Sequence, residues 1–149
     1  MACCIVVRLE PMAPTSAPTS PPDPARVFAR PVFTRVRRLC LALPEAVEGV
    51  AWNHPVFRVG RKTFCAFELI GGRPSIAFRV APGGAKKFAR RRHFFATPFG
   101  RGLWISRWVD VKVDPESLGP HIAASYRLVA PKRFRAALRP GNIDPTSTE

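Results

Sequence analysis

Acidic residues are scarce in this chain. Ten Asp+Glu stand against 24 Lys+Arg, for a formal net charge of +14 over 149 residues. The few carboxylates are dispersed, which excludes the clustered oxygen ligands that hard cations or iron require. So one-sided a balance attracts polyanions over a Debye length, before any specific contact forms. Nucleic acid, an acidic protein and an anionic membrane surface are the candidate partners. Long apolar runs are also missing: no segment approaches the ~20 apolar residues a spanning helix needs. The opening MACCIVV is short, ends at Arg8 and Glu10, and lacks the basic start and long apolar run of a signal peptide. A cytoplasmic protein with no membrane partner is expected. Of the four cysteines, Cys3, Cys4, Cys40 and Cys65, none forms a C-x-x-C pair. Reduced thiols are therefore expected. The sequence contains no G-x-S-x-G, P-loop or dinucleotide glycine pattern, and Gly71–Gly72 and Gly83–Gly84 read as turns. His54, His93, His121, Cys40 and Cys65 show no metal-ligand spacing. No metal and no cofactor are expected.

Proline is plentiful, and it is concentrated near the start. The run EPMAPTSAPTSPPDPARVFARP carries seven prolines and little apolar periodicity. Residues 1–31 therefore read as a disordered or polyproline-like arm, with a single domain over 32–138 and a flexible tail over 139–149. In VFTRVRRLCLAL, Val32, Phe33, Val36, Leu39, Cys40 and Leu43 form one stripe at helical spacing. That predicts an amphipathic helix ending before Pro44, with Cys40 as a buried small hydrophobe. From Val47 to Val80 the period shortens. VEGVAW, PVFRV, KTFCAFEL and PSIAFRV are separated by turn residues and predict an antiparallel meander of three or four strands. Ile76, Phe78 and Val80 take one face, Ser75, Ala77 and Arg79 the other.

APGGAKKFARRRHFF predicts a short helix over Gly84–Arg92 with Ala85, Phe88 and Ala89 inward. GRGLWISRWVDVKV predicts a strand with Ile105, Val109, Val111 and Val113 on one face and Trp104, Ser106 and Trp108 on the other. Asp114 followed by Pro115 and Glu116 is a helix start. The helix runs to about Val129, with Leu118, Ile122, Ser125 and Val129 in a stripe; KRFRAAL adds a short basic helix. The fold class is α+β, an antiparallel sheet meander with helices packed on one face.

Three stretches carry a family resemblance. LCLALPEAVEGVAWNHPVFRVGRKTFCAF resembles the opening of MmcQ/YjbR-like proteins, where a helix ending in a Leu-Pro turn leads to a W-x-H-P-x-F strand pair. FATPFGRGLWISRWVD resembles that family's glycine-Trp strand, and IAASYRLVAPKR its terminal S-Y-x-L-V-x-x-K helix end. The resemblance spans roughly Val32 to Arg135. It implies a compact two-layer α+β fold likened to frataxin, and a DNA-binding role, with no established catalysis. One segment departs from the family. Where the family often has an acidic helix start after the meander, this chain has the basic FRVAPGGAKKFARRR.

Between Arg61 and Arg107, eleven Lys/Arg accompany one acid, Glu68. Lys86, Lys87, Arg90, Arg91 and Arg92 are the expected phosphate contacts, with Arg61, Lys62, Arg101 and Arg107 completing the basic set. A solvated surface is the plain alternative. Trp104 and Trp108 stack bases if their face is open; the C-terminal segment with Phe134 covers them if it is not. Trp52–Pro55 reads first as a turn, with Trp52 filling the core edge and His54 bonded to nearby backbone. Its other reading is a small-ligand or partner pocket lined by Trp52, His54 and Tyr126. Catalysis by His54 would want a carboxylate beside it, and nothing in the spacing ties Glu45, Glu48 or Asp110 to it. Ser125 is expected to bond a carbonyl one turn earlier in its own helix. The expected protein is a non-enzymatic, monomeric nucleic-acid binder, DNA ahead of RNA, with electrostatic and weakly sequence-specific contacts. An acidic protein or a small ligand is the alternative partner.

Overall fold

A computed structural model of the chain describes residues 23–98 and 100–138. The first 22 residues of the expected arm and the expected tail lie outside the described residues. Helix α1 (Pro24–Val27) and α2 (Pro31–Leu41) precede the meander of β1 (Ala46–Ala51), β2 (His54–Val59), β3 (Lys62–Ile70) and β4 (Arg73–Arg79). Then come α3 (Gly84–Phe88), β5 (Phe94–Ala96), β6 (Trp104–Trp108), a 3₁₀ turn (Pro115–Leu118), α4 (Gly119–Val129) and α5 (Lys132–Ala136). Six antiparallel strands lie in the order β1-β2-β3-β4-β6-β5, so β6 slots between β4 and the edge strand β5.

One core holds the two layers together. Phe57, Phe67, Ile76, Phe78 and Ile105 project from the sheet onto Phe33, Val36, Ile122 and Tyr126 of α2 and α4. Each described helix adds to this same cluster, from Val27 of α1 through Ala85 of α3 to the half-buried Phe134 of α5. The expected α+β sheet with helices on one face is the observed fold.

Residues upstream of Val32 also belong to the packed fold. Asp23 caps α1 by accepting from the Ala25 N–H, Pro24 sits in its first turn, and Val27 and Phe28 are buried. Phe28 meets Phe33 edge-on at 5.0 Å. Apolar residues after a capped Pro thus dock onto the core, whatever the proline content before them.

Four other expectations shift. Helix α3 stops at Phe88 rather than Arg92, which leaves Ala89 exposed. Strand β6 ends at Trp108: its register against β4 runs out there, Ser75 lying opposite Trp108, so Val111 and Val113 alternate with no strand to pair with. The helix begun at Asp114 breaks into a 3₁₀ turn and then α4, because Pro120 has no N–H for a continuous helix and crowds the carbonyl four residues back. Ser125 does not bond within its helix. Its hydroxyl donates to the Phe64 carbonyl and accepts from the Arg79 N–H at 2.8 Å. The β2–β3 register slips beside Phe57 and Arg58, so that Phe57 faces Cys65 but Arg58 faces Thr63. The extra residue turns both Phe64 and Cys65 inward and frees backbone groups that Ser125 then satisfies.

Candidate functional site

The face of the sheet opposite the helices carries the polar chemistry. Cross-strand partners share a face, so the pairings Ala66↔Ala77, Glu68↔Ser75, Ala77↔Ser106 and Ser75↔Trp108 place these residues together. Ser75, Thr97 and Ser106 are buried there, and the Thr97 and Ser106 hydroxyls are 2.7 Å apart. Over this face opens a cavity of about 560 Å³. Val56, Ala66, Leu69 and Trp104 make its apolar walls, Trp52 and His54 stand at one end, and Thr97 and Gly100 at another. Gly100 is required for that wall: a Cβ on it would lie 2.5 Å from the Trp104 Cβ.

Glu68 is the one carboxylate in the cavity lining. Its Oε2 is buried and, among the described residues, has no hydrogen-bond partner; the same holds for Ser75 Oγ. Burial pushes the Glu68 carboxyl up from its ordinary range, and the Ser106 hydroxyl partly opposes that. Glu68 is not among the residues expected at a site, because KTFCAFELI alternates as an ordinary strand. The signal available was that Glu68 is the lone acid between Arg61 and Arg107.

The Trp52 turn is both a corner and part of the cavity lining. Ala51 pairs with His54, and the two residues between them, Trp52 and Asn53, have φ of 53° and 65°. This is a two-residue hairpin with both central residues left-handed, which Asn accepts and Trp does not prefer. Trp52 does not fill the core edge; it is 96 % exposed. His54 is half-buried and meets Phe28 edge-on at 5.6 Å. Burial lowers its pKa, and a backbone hydrogen bond at Phe67 raises it in part.

The other expected site residues scatter. Tyr126 lies in the helix-side core, fully buried, its hydroxyl donating to the Pro44 carbonyl at 2.5 Å, so it cannot line the cavity. Trp108 is sandwiched: Phe95 stacks on its ring at 4.1 Å, and the Arg73 guanidinium lies 4.0 Å from its centroid. Partners that near need opposite faces of the ring, so neither face is left for a base. Asp110 fixes Arg73 at 2.7 Å, which holds the Asp110 carboxyl below its usual range. Trp104 remains available, half-buried at the cavity wall with Arg79 6.0 Å from its ring. Phe134 packs against the helix-side core rather than over the tryptophans.

Among the basic residues, Lys86, Lys87, Arg90, Arg91 and Arg92 are exposed along and after α3, and Arg91 lies 4.9 Å over Phe88. Arg61 in the β2–β3 turn, Lys62 at the start of β3 and Arg101 before β6 are also exposed, and the register brings that turn and Arg101 to the same end of the sheet. Arg107 differs. It is half-buried and desolvated, 5.3 Å over Phe94, where with Arg91 it disfavours charge on the nearby His121. The described ion pairs are Arg35–Glu116, Arg37–Glu48 and Arg73–Asp110, so none of these cations is paired among the described residues. Glu48 and Asp110 are thereby committed elsewhere and do not serve His54. Among the described residues no three His, Cys, Asp or Glu gather as a metal site, and no helix is long and apolar enough to cross a membrane.

No curated protein matches the sequence. Among solved structures, the crystal structure of the Deinococcus radiodurans protein DR2400, described by its DUF419 domain, is similar with a TM-score of 0.54. The likeness covers 68 % of this chain and 80 % of that one at 21 % identity, which speaks for the fold alone. The sequence pattern of the YjbR family matches residues 41–128, from the end of α2 to the penultimate residue of α4. With more than half its length matched in this way, the chain belongs to the YjbR family.

Proposed function

We propose that the protein binds nucleic acid, DNA ahead of RNA, through electrostatic contacts of weak sequence preference. One observation carries the reading. Lys86, Lys87, Arg90, Arg91, Arg92 and Arg101 stay exposed and are unpaired among the described residues, where the ion pairs engage Arg35, Arg37 and Arg73 instead. A solvated face usually interleaves signs; an unbalanced one repels itself until phosphate oxygens neutralise it. The resemblance of the W-x-H-P and S-Y-x-L-V stretches to a family described as DNA-binding supports the same reading. A cytoplasmic setting accords with the buried free thiols of Cys40 and Cys65.

The test is binding of labelled single- and double-stranded DNA and RNA over a salt series. Wild-type protein should show a steep slope. Replacing Lys86, Lys87, Arg90 and Arg91 together with Ala should weaken binding to all sequences and lower the slope by about 3, near 0.7–0.9 for each phosphate no longer neutralised. An unchanged slope in this variant removes α3 as the binding surface, and weak binding to every polymer at physiological salt removes the function. The alternative reading, a small-ligand module, is favoured by the cavity beside Trp52 and His54, without Tyr126.

A further inference from the structure

We propose that the outer edge of β1 is a self-association surface, on which a second copy of this chain lays its own β1 antiparallel and joins the two sheets into one. The inference is independent of the nucleic-acid reading and departs from the monomer expected from the sequence.

The edge is open and unguarded. Among the described residues β1 pairs with β2 alone. In a two-residue hairpin the residues flanking the turn, here Ala51 and His54, exchange both backbone hydrogen bonds. Gly49 and Val47 follow by alternation, so the N–H and C=O groups of Glu48 and Val50 point away from β2. No other described backbone group meets them. Sheets blunt such an edge with Lys, Pro, a bulge or a very short strand. The far edge does so, since β5 has only three residues. β1 has six, Ala46–Ala51, with no Lys, no Pro and an unbroken register. Of the five exposed large hydrophobic side chains among the described residues, Val47, Val50 and Trp52 lie on or next to this one strand. Apolar exposure gathered in this way marks a contact surface.

Charge selects the occupant. Two molecules of net charge +14 meet best where that charge is locally balanced. Glu48 is the one ionisable side chain of β1, and Arg37 neutralises it at 3.0 Å. The exposed cations of α3 belong to the other edge, where Phe88 meets Phe94 of β5 at 5.8 Å. The strand order puts β5 five spacings of ~4.8 Å from β1, about 24 Å, beyond a Debye length of ~8–10 Å. A polyanion finds no cation on β1, whereas a second copy brings the same neutral edge.

Gly49 fixes the register. With the two-fold axis at Gly49, Glu48 and Val50 of the second copy exchange backbone hydrogen bonds, and Val47 lies beside Ala51 of the second copy. An axis at Glu48 would set like charges directly opposite, and an axis at Val50 would drive the Trp52 turn into the pairing.

The experiment is sedimentation velocity of the full chain over a dilution series at low and high salt. The protein should pass from monomer to dimer as concentration rises, and more readily at high salt, which screens the repulsion between copies. Val50→Asp, at an exposed position, sets an acid opposite Glu48 of the second copy twice by symmetry. It should weaken the dimer at least ~10-fold although it lowers the net charge. Leu128→Asp makes the same charge change on the exposed side of α4 and should leave the dimer unaltered. Gly49→Cys, combined with Cys3→Ser and Cys4→Ser, sets two thiols at a pair with Cα atoms ~4.5 Å apart, and mild oxidation should link the copies. A Cβ at Gly49 meets only Val56, at 3.9 Å, so this variant keeps the fold. A monomer at every concentration would overturn the proposal; protection of the Glu48 and Val50 amides from hydrogen exchange in that monomer would show the chain covering its own edge. A dimer untouched by Val50→Asp, weakened as much by Leu128→Asp, or not linked through Gly49→Cys would overturn it as well.

Discussion

Replacing Ser125 with Ala tests how the helical layer is fastened to the sheet. The Ser125 side chain is wholly buried, and its hydroxyl links the Phe64 carbonyl to the Arg79 N–H where the β3–β4 ladder ends at Cys65↔Phe78. Alanine removes one small polar atom and orphans two backbone groups. Each unmet buried group costs about 1–3 kcal/mol, offset in part because the hydroxyl no longer has to be desolvated. A net loss of about 3 kcal/mol follows, a large share of the ~5–15 kcal/mol that holds a domain together. With a urea m-value of about 1.5 kcal/mol/M, the unfolding midpoint should drop by roughly 2 M at unchanged m. Ser117→Ala is the control: its hydroxyl donates to the Asp114 carbonyl at 2.6 Å but is exposed, so its loss should cost no more than about 0.5 kcal/mol. If Ser125→Ala lies within about 0.5 kcal/mol of wild type, or matches Ser117→Ala, then the hydroxyl is not fastening the layers, and a bond within its own helix would account for it better.

Two titrations should separate the two faces of the sheet. His121 sits among Phe78, Phe88 and Phe94, and burial first, then Arg91 and Arg107, lower its pKa from 6.5. The unfolded chain therefore takes the proton first, so stability is complete above about pH 6.5 and declines as pH falls through that value toward the folded pKa. Urea midpoints of His121→Gln should vary less between pH 5 and 7 than those of wild type, with a residual slope from His54, whose pKa is also lowered; an unaltered pH profile would refute the assignment. Glu68 runs the other way. Its carboxyl is raised from 4.5, so the folded state keeps the proton longer, and stability is lost as pH rises from about 4.5 through the folded pKa. Glu68→Gln should gain about 1 kcal/mol at pH 7 and nothing near pH 3.5; equal stability at both pH values would mean the carboxyl is already satisfied.

Most of the scaffold was readable because its signals are local. The helical stripe through Phe33, Val36 and Cys40 and the β-branched runs between turns needed no tertiary knowledge. The same logic applied at Asp114-Pro115 should also have found Asp23-Pro24, but proline density masked a cap of the same form. Alternation misled at Val111 and Val113, because a strand needs a neighbour and β4 supplies none past its own start. The site was less legible for a stronger reason. Whether Trp52 is buried or exposed, and whether Trp108 is free or sandwiched, depends on which strands flank it and on the sense of a two-residue turn. Tyr126 was expected to line a pocket with Trp52 and His54, yet the face of α4 that carries Ile122 and Ser125 takes it into the core.

The contrast between the two faces bears on what the open one is for. On the helix side, polar groups that enter the core are met: Ser125 by Phe64 and Arg79, Tyr126 by Pro44. On the opposite face the described polar atoms without partners, Glu68 Oε2 and Ser75 Oγ, lie on directly paired residues. Trp52, at positive φ and 96 % exposed, lines the cavity on that face. A sequence shaped by stability alone would place Ala at 75, a neutral side chain at 68 and Asn or Gly at 52, each a single substitution that relieves a cost of about 1 kcal/mol or more. Trp52 and Glu68 both line the cavity while Ser75 beside them is sealed from it, so two of these costs gather at one place in a domain that meets the polar groups described in its helix-side core.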